Sequence, residues 1–240
     1  MAPSRLHIII PCYNPPAGWD SRLIDRGNEL KRRLGEVQLL FIVVEDGSHQ
    51  PLSEAMKRNV NAGLEGVSWM SHTVNRGKGA ALRTGVAACT AGPMIFTDVD
   101  FPYTIESMVD ACRALLAGAN VVLGQRRTNY YDRVPWARKV ISKSFRWVLR
   151  NVMRFPISDT QCGLKGFNET GRGIFLATTI DRFLFDMEFV MLVTRKKGLR
   201  VETIDAQLDE GVQFSRMNYR ILFRESMNFL KVVIRGFLEH

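Results

Sequence analysis

Two kinds of segment alternate along this chain. Residues 6–10 and 39–44 are apolar runs rich in Ile and Val, the first interrupted by His7, as expected of strands buried on both faces of a mostly parallel sheet. Around them, residues 19–34 and 51–61 carry helical periodicity, residues 67–72 read as a strand, and residues 79–89 as a helix opened by glycines. A further strand ends at Asp98. Residues 104–116 then read as a helix, 120–124 as a strand, 135–153 as a long helix, 186–197 as a helix and 199–204 as a short strand. This strand–helix order predicts an α/β sandwich. No repeat, linker or low-complexity stretch divides it before residue 212, so one domain is expected over 1–212, followed by a separate tail over 213–240.

Composition adds limits. With 240 residues, 46% hydrophobic and 24% charged, the chain can bury one large core and is neither disordered nor collagenous. The four cysteines, Cys12, Cys89, Cys112 and Cys162, include no C-x-x-C spacing, and the N-terminus shows no signal-peptide pattern, so a reduced, cytoplasmic compartment is expected. Lys231 and Arg235 interrupt the most apolar C-terminal stretch, leaving none of the ~18 residues that a membrane span requires. The net charge of +9 calls for an anionic partner.

Helical projection says where that charge lies. Over 136–154, Lys139, Lys143, Arg146, Arg150 and Arg154 fall in one arc of ~80°, with Ile141, Phe145, Val148, Leu149 and Val152 opposite. In the tail, Arg216, Arg220, Arg224, Lys231 and Arg235 share an arc of ~100° opposite Ile221, Leu222, Phe229, Val232 and Val233. Such helices can pack on the domain by their apolar side or lie in the headgroup plane of an anionic leaflet, and the two basic stripes together favour the membrane surface. Arg138 projects among the apolar positions with Ser142 one turn on, so it needs a carboxylate or a phosphate partner. No basic segment interleaved with stacking aromatics suggests nucleic acid.

The candidate chemistry sits where predicted strands end. Open α/β sheets bind ligands outside the carboxyl ends of their strands, and four loops there carry suitable residues. Pro11-Cys12-Tyr13-Asn14 follows the first strand. Glu45-Asp46-Gly47-Ser48 follows the second, with an acid able to accept from a ribose or base. Asn75-Arg76-Gly77-Lys78-Gly79 turns into a helix N-terminus whose N–H groups and dipole suit a phosphate. Asp98-Val99-Asp100 offers two carboxylates to a hard cation. Each loop alone is also an ordinary turn; their order along one sheet edge is the informative feature.

In that order and spacing, I-P-C-Y-N, V-E-D-G-S, N-R-G-K-G-A-A-L-R and D-V-D resemble the family 2 inverting glycosyltransferases of the GT-A fold, over residues 5–205. Ser158-Asp159-Thr160-Gln161-Cys162-Gly163-Leu164-Lys165-Gly166-Phe167 with Phe185-Asp186-Met187-Glu188 is similar to the signatures of dolichyl-phosphate β-glucosyltransferases and their bacterial polyprenyl-phosphate relatives. The resemblance implies metal-dependent transfer of a hexose, UDP-glucose being the favoured donor, to a polyprenyl phosphate at the cytosolic membrane face. It implies Mg²⁺ or Mn²⁺ on Asp98 and Asp100, and donor contacts from Pro11, Tyr13, Asn14, Asp46, Lys78 and Asp98. Arg126, Arg138 and Ser142 inherit the acceptor phosphate, and Asp159 the orientation or deprotonation of the acceptor. Asp186 and Glu188, in the first turn of a helix, have a structural and an acceptor-side reading. Phe101-Pro102 replaces the Leu-Gln that often follows D-x-D in the related mannose synthases, leaving a third protein ligand open. The alternatives are a family 2 enzyme acting on a soluble saccharide and a non-catalytic basic membrane scaffold.

Overall fold

The structure is a computed structural model, and it describes residues 4–126, 162–182 and 184–209. The helix expected over 135–153, the tail, and with them Arg138, Ser142 and Asp159, lie outside the described residues.

Seven strands form one sheet in the order β3-β2-β1-β4-β6-β5-β7: β1 Arg5–Cys12, β2 Gln38–Asp46, β3 Val67–His72, β4 Met94–Phe96, β5 Val121–Gln125, β6 Lys165–Phe167 and β7 Val201–Asp205. All pairings are parallel except those of β6, which runs antiparallel to both β4 and β5. The helices are α1 Trp19–Leu34, α2 Glu54–Gly63, α3 Lys78–Ala88, α4 Ile105–Leu116, α5 Glu169–Leu176 and α6 Phe185–Arg195.

Strand alternation sorts the core into two layers. Leu6, Ile8 and Ile10 of β1 face α1, α2 and α4 in one buried cluster. Ile9 of β1 and Ile42 and Val44 of β2 face α3, α5 and α6 in the other. This is the α/β sandwich expected from the sequence, and every strand and helix expected within the described residues is present, with ends shifted by a few residues. Two elements were not anticipated, β6 and α5. Asn168 caps α5 by accepting from the N–H of Thr170 and Gly171 at 3.0 and 3.2 Å.

β4 also stops earlier than expected. Thr97 N–H still joins the ladder through Ile9 O at 3.2 Å, and the chain then turns, with Phe101 N–H closing onto Asp98 O at 3.0 Å. Asp98 therefore sits in a turn, not on a strand. β6 matters for what lies beside it. Because it is antiparallel, its first residue, Lys165, stands opposite Phe96 and Leu123 at the carboxyl ends of β4 and β5. Residues 162–164 are thereby delivered to the same edge as the loops after β1, β2, β3 and β4.

Candidate active site

The loops after β1 and β2 are joined to each other. Asn14 N–H donates to Ser48 Oγ at 3.0 Å and His49 N–H donates to Asn14 Oδ1 at 2.9 Å. Asn14 takes a left-handed φ of 43° to do so, a conformation that asparagine tolerates better than most residues. Glu45 turns back to accept from Ser48 N–H at 2.8 Å. Tyr13 is exposed, with its ring edge-on to His49 at 5.9 Å. Pro11 is within β1 opposite Val44, so it shapes the exit of the strand.

Asp46, which the sequence suggested for the nucleoside, makes four hydrogen bonds within the protein. It ends β2 directly opposite His72, the last residue of β3. Its Oδ1 accepts from His72 Nδ1 at 2.7 Å and Arg76 N–H at 3.0 Å; its Oδ2 accepts from Gly77 N–H at 2.8 Å and Asn75 Nδ2 at 2.9 Å. A carboxylate has about four lone-pair positions, so this buried side chain is saturated from within. It folds the loop over 75–77. His72 Nε2 meets Thr84 Oγ1 at 2.9 Å, tying α3 to the same cluster. Three backbone donors of this turn are thus engaged from within: Arg76 and Gly77 by Asp46, and Ala80 by Asp181 O at 3.1 Å. The cation that the loop presents to the sheet edge is the side chain at the head of α3.

That side chain is Lys78, whose Nζ lies 2.5 Å from Asp98 Oδ1. Beyond it, fully buried Lys165 pairs with Asp186 Oδ1 at 2.7 Å and donates to Cys162 O. Acids and lysines alternate through the site. Burial lowers the affinity of Lys78 for its proton, but Asp98, Asp186 and Asp100 more than offset this and raise its pKa. Asp100 is pushed up by burial and by the like charge of Asp98. Burial also pushes Asp186 up, against the pull of Lys165 and Lys78.

The turn carrying the two aspartates is unusual. Phe101 is fully buried at a left-handed φ of 44°, which costs about 1 kcal/mol for a side chain of this kind. The turn is held by its packing and by Arg22, whose Nη2 reaches Phe101 O at 3.4 Å and Asp209 Oδ2 at 3.1 Å. Across from it, Tyr103 Oη accepts from Gly163 N–H at 2.7 Å. A Cβ on Gly163 would stand 2.6 Å from Asp98 Oδ2, so a larger residue here would displace this carboxylate from its present position. Arg126 lies close enough to bias the Tyr103 phenol, whose pKa burial drives well upward. Lys78, Asp98, Asp100 and Arg126 thus converge on one edge.

These loops fall inside the stretch recognised by the family model of glycosyl transferase family 2, which matches residues 7–174. The chain belongs to glycosyl transferase family 2. This glycosyltransferase is 24% identical over 238 residues to a dolichyl-phosphate beta-glucosyltransferase of Trichomonas vaginalis, across 95% of this chain and 73% of that one. Its fold matches mannosyl-3-phosphoglycerate synthase from Rubrobacter xylanophilus with a TM-score of 0.73 at 16% identity, covering 98% of this chain and 74% of that one. Glucosyl-3-phosphoglycerate synthase from Mycobacterium tuberculosis, crystallised with Mn²⁺, UDP-glucose and phosphoglyceric acid, matches with a TM-score of 0.68 at 16% identity, over 97% and 79%. At such identities the two crystal structures speak to the GT-A fold.

The glycosyltransferase also uses residues to which sequence reasoning gave no part. His72 was hidden at a strand end, legible only through its register with Asp46. Tyr103 follows the D-x-D turn by three residues and became relevant only when β6 brought Gly163 to it. The F-D-x-E signature proves to be bracing: Asp186 holds Lys165, and Glu188 accepts from Thr179 N–H and Ile180 N–H, each at 2.8 Å, and from Thr179 Oγ1 at 2.9 Å. The loop so folded is the one whose Asp181 O receives Ala80 N–H. A charged residue inside an apolar strand, Lys165, was the available clue, since a buried lysine requires a carboxylate.

Proposed function

We propose that this glycosyltransferase moves a hexose, glucose from UDP-glucose in the favoured case, to a polyprenyl-type lipid phosphate with inversion at the cytosolic face of a membrane. The observation that carries the proposal is the seating of Gly163 against Asp98: the segment similar to lipid-phosphate glucosyltransferases is built onto the D-x-D carboxylate itself. The relative from Trichomonas vaginalis, named as a dolichyl-phosphate beta-glucosyltransferase, supports the same acceptor and sugar.

The residues fit a divalent cation. Asp98 and Asp100 share one turn, where burial and then the like charge of Asp98 hold Asp100 up, and Asp98 keeps about a third of its side chain exposed. Among the described residues no group of three or more His, Cys, Asp or Glu is placed to hold a metal, so donor diphosphate and water would complete the shell. Mg²⁺ or Mn²⁺ held there would offset charge on the departing nucleoside diphosphate. Lys78 would meet the donor phosphates from the opposite side, while Tyr13, Asn14 and Pro11 line the nucleoside end and Asp46 acts through the loop it folds. A phosphate monoester is already anionic near neutral pH, so the acceptor needs positioning more than a strong base. Arg126, Arg138 and Ser142 would hold it, and Asp159, three residues before Cys162, would orient it.

Membrane docking is assigned to 213–240 and to the basic stripe of 136–154, with 1–212 as the catalytic domain. No helix of the described residues is long and apolar enough to cross a membrane. Incubating the purified protein and Mn²⁺ with a panel of nucleotide sugars and polyprenyl phosphates, beside Asp98→Asn and Asp100→Asn, tests the reading. A lipid-linked hexose lost in both variants, with fold and vesicle binding retained, is the expected result. Transfer only to soluble saccharides would refute the lipid acceptor, and transfer unchanged in the variants would refute the site.

A further inference from the structure

We infer that Lys78 is a built-in counter-cation of the D-x-D turn: without donor its ammonium occupies Asp98, and it has to hand Asp98 over before a divalent ion binds well, so donor and metal bind cooperatively through this one side chain. The inference rests on the donor and metal sites proposed above.

Three observations support it. The ammonium sits on a carboxylate of the proposed metal pair, 2.5 Å from Asp98 Oδ1. Of the other acids that act on Lys78, Asp186 already has its own cation in Lys165 at 2.7 Å, and the ion pair that Lys78 makes is with Asp98. The backbone beneath Lys78 is pinned by Asp46 through Arg76 and Gly77, whereas its ammonium is carried on a four-carbon stem with several rotatable bonds, and 17% of the side chain is exposed. An exchange of partners therefore needs rotation of one side chain and no movement of the loop.

Charge decides the direction. The two aspartates carry two negative charges and Lys78 one positive, so a divalent ion arriving alone either displaces the lysine or sits beside a like charge a few ångströms away. A diphosphate arriving with it offers Lys78 a new partner and removes that opposition. Linkage then requires that nucleotide and metal each strengthen the other by the same factor, and part of that factor is owed to Lys78.

The test is a Mn²⁺ titration followed by the electron paramagnetic resonance of the free ion, with and without UDP, on the wild type, K78M, K78R and D98N. Circular dichroism and melting confirm that each variant is folded, and K78Q replaces K78M if the latter is not. The expected result is Mn²⁺ binding by K78M without UDP about tenfold tighter than by the wild type, which corresponds to about 1.4 kcal/mol. UDP should then enhance Mn²⁺ binding about tenfold less in K78M than in the wild type, K78R should resemble the wild type, and D98N should lose the site. If D98N abolishes binding while K78M binds Mn²⁺ alone no more tightly than the wild type, the counter-cation role is overturned and the metal site stands. If no protein shows Asp98-dependent Mn²⁺ binding even with UDP, the metal site and this inference fall together.

Discussion

Replacing Lys165 by Met removes the positive half of a buried pair and leaves Asp186 charged and enclosed. Lys165 is fully buried and Asp186 nearly so, with 2.7 Å between them. Truncating one partner of such a pair costs about 3–5 kcal/mol because an uncompensated charge remains. Lys78 also acts on Asp186 and supplies part of the missing field, which places K165M near the lower end, about 3 kcal/mol. For a chain of this size each kcal/mol shifts the melting temperature by about 2–4 °C, so a fall of roughly 6–12 °C is expected. Removing the second charge too should recover most of the loss: K165M/D186L is expected within about 2 kcal/mol of the wild type, the residue being the unmet Cys162 carbonyl.

The variant also carries a pH signature. Burial raises the Asp186 pKa in the folded state above its model value of 3.8, and without Lys165 it rises further. The native state then binds more protons than the unfolded one, so stability falls as pH rises through the folded value. The K165M deficit should accordingly stay level above the folded pKa of Asp186 and shrink on acidification below it, toward the unfolded value. Urea denaturation of wild type, both single variants and the double variant measures all of this. A K165M cost below about 1 kcal/mol, or a double variant that loses the sum of the singles, would refute the buried-pair account.

Gly163→Ala places a methyl 2.6 Å from Asp98 Oδ2; transfer should fall by about 100-fold, as for a misplacement of roughly 1 Å at a reacting centre, with a melting temperature nearly unchanged because Asp98 is partly exposed. Asp46→Asn exchanges one acceptor oxygen for a donor facing N–H groups, so it should cost about 2–3 kcal/mol in denaturation and raise the KM for the donor as the loop over 75–77 loosens. Asp100, held up by burial and by Asp98, should take up its proton at a higher pH than an ordinary aspartate. Mn²⁺ affinity measured across pH should therefore weaken, on acidification, before it would for an unperturbed pair of carboxylates.

Much of this was legible in the amino-acid order. The Ile/Val-rich runs of β1 and β2 fit central parallel strands, and the four loops had to share an edge once the strands were parallel. β6 was illegible for a physical reason: Lys165-Gly166-Phe167 is three residues long, lacks alternation, and is a strand only because Phe96 and Leu123 flank it. The internal bonds of Asp46 were not legible because nothing local shows that four donors 26 to 31 residues away return to it. Lys78 was expected, from the family resemblance, to contact the donor, and its pairing with Asp98 emerges only when α3 and the turn after β4 meet.

The central claim is transfer of the sugar to a lipid phosphate. It is tested most directly by offering the protein labelled UDP-glucose and Mn²⁺ together with equal amounts of a polyprenyl phosphate and 3-phosphoglycerate, then counting each phase after extraction. The account predicts label in the organic phase as an acid-labile β-linked glucosyl phosphate lipid; label confined to the aqueous phase as a glucosylated soluble acceptor would contradict it.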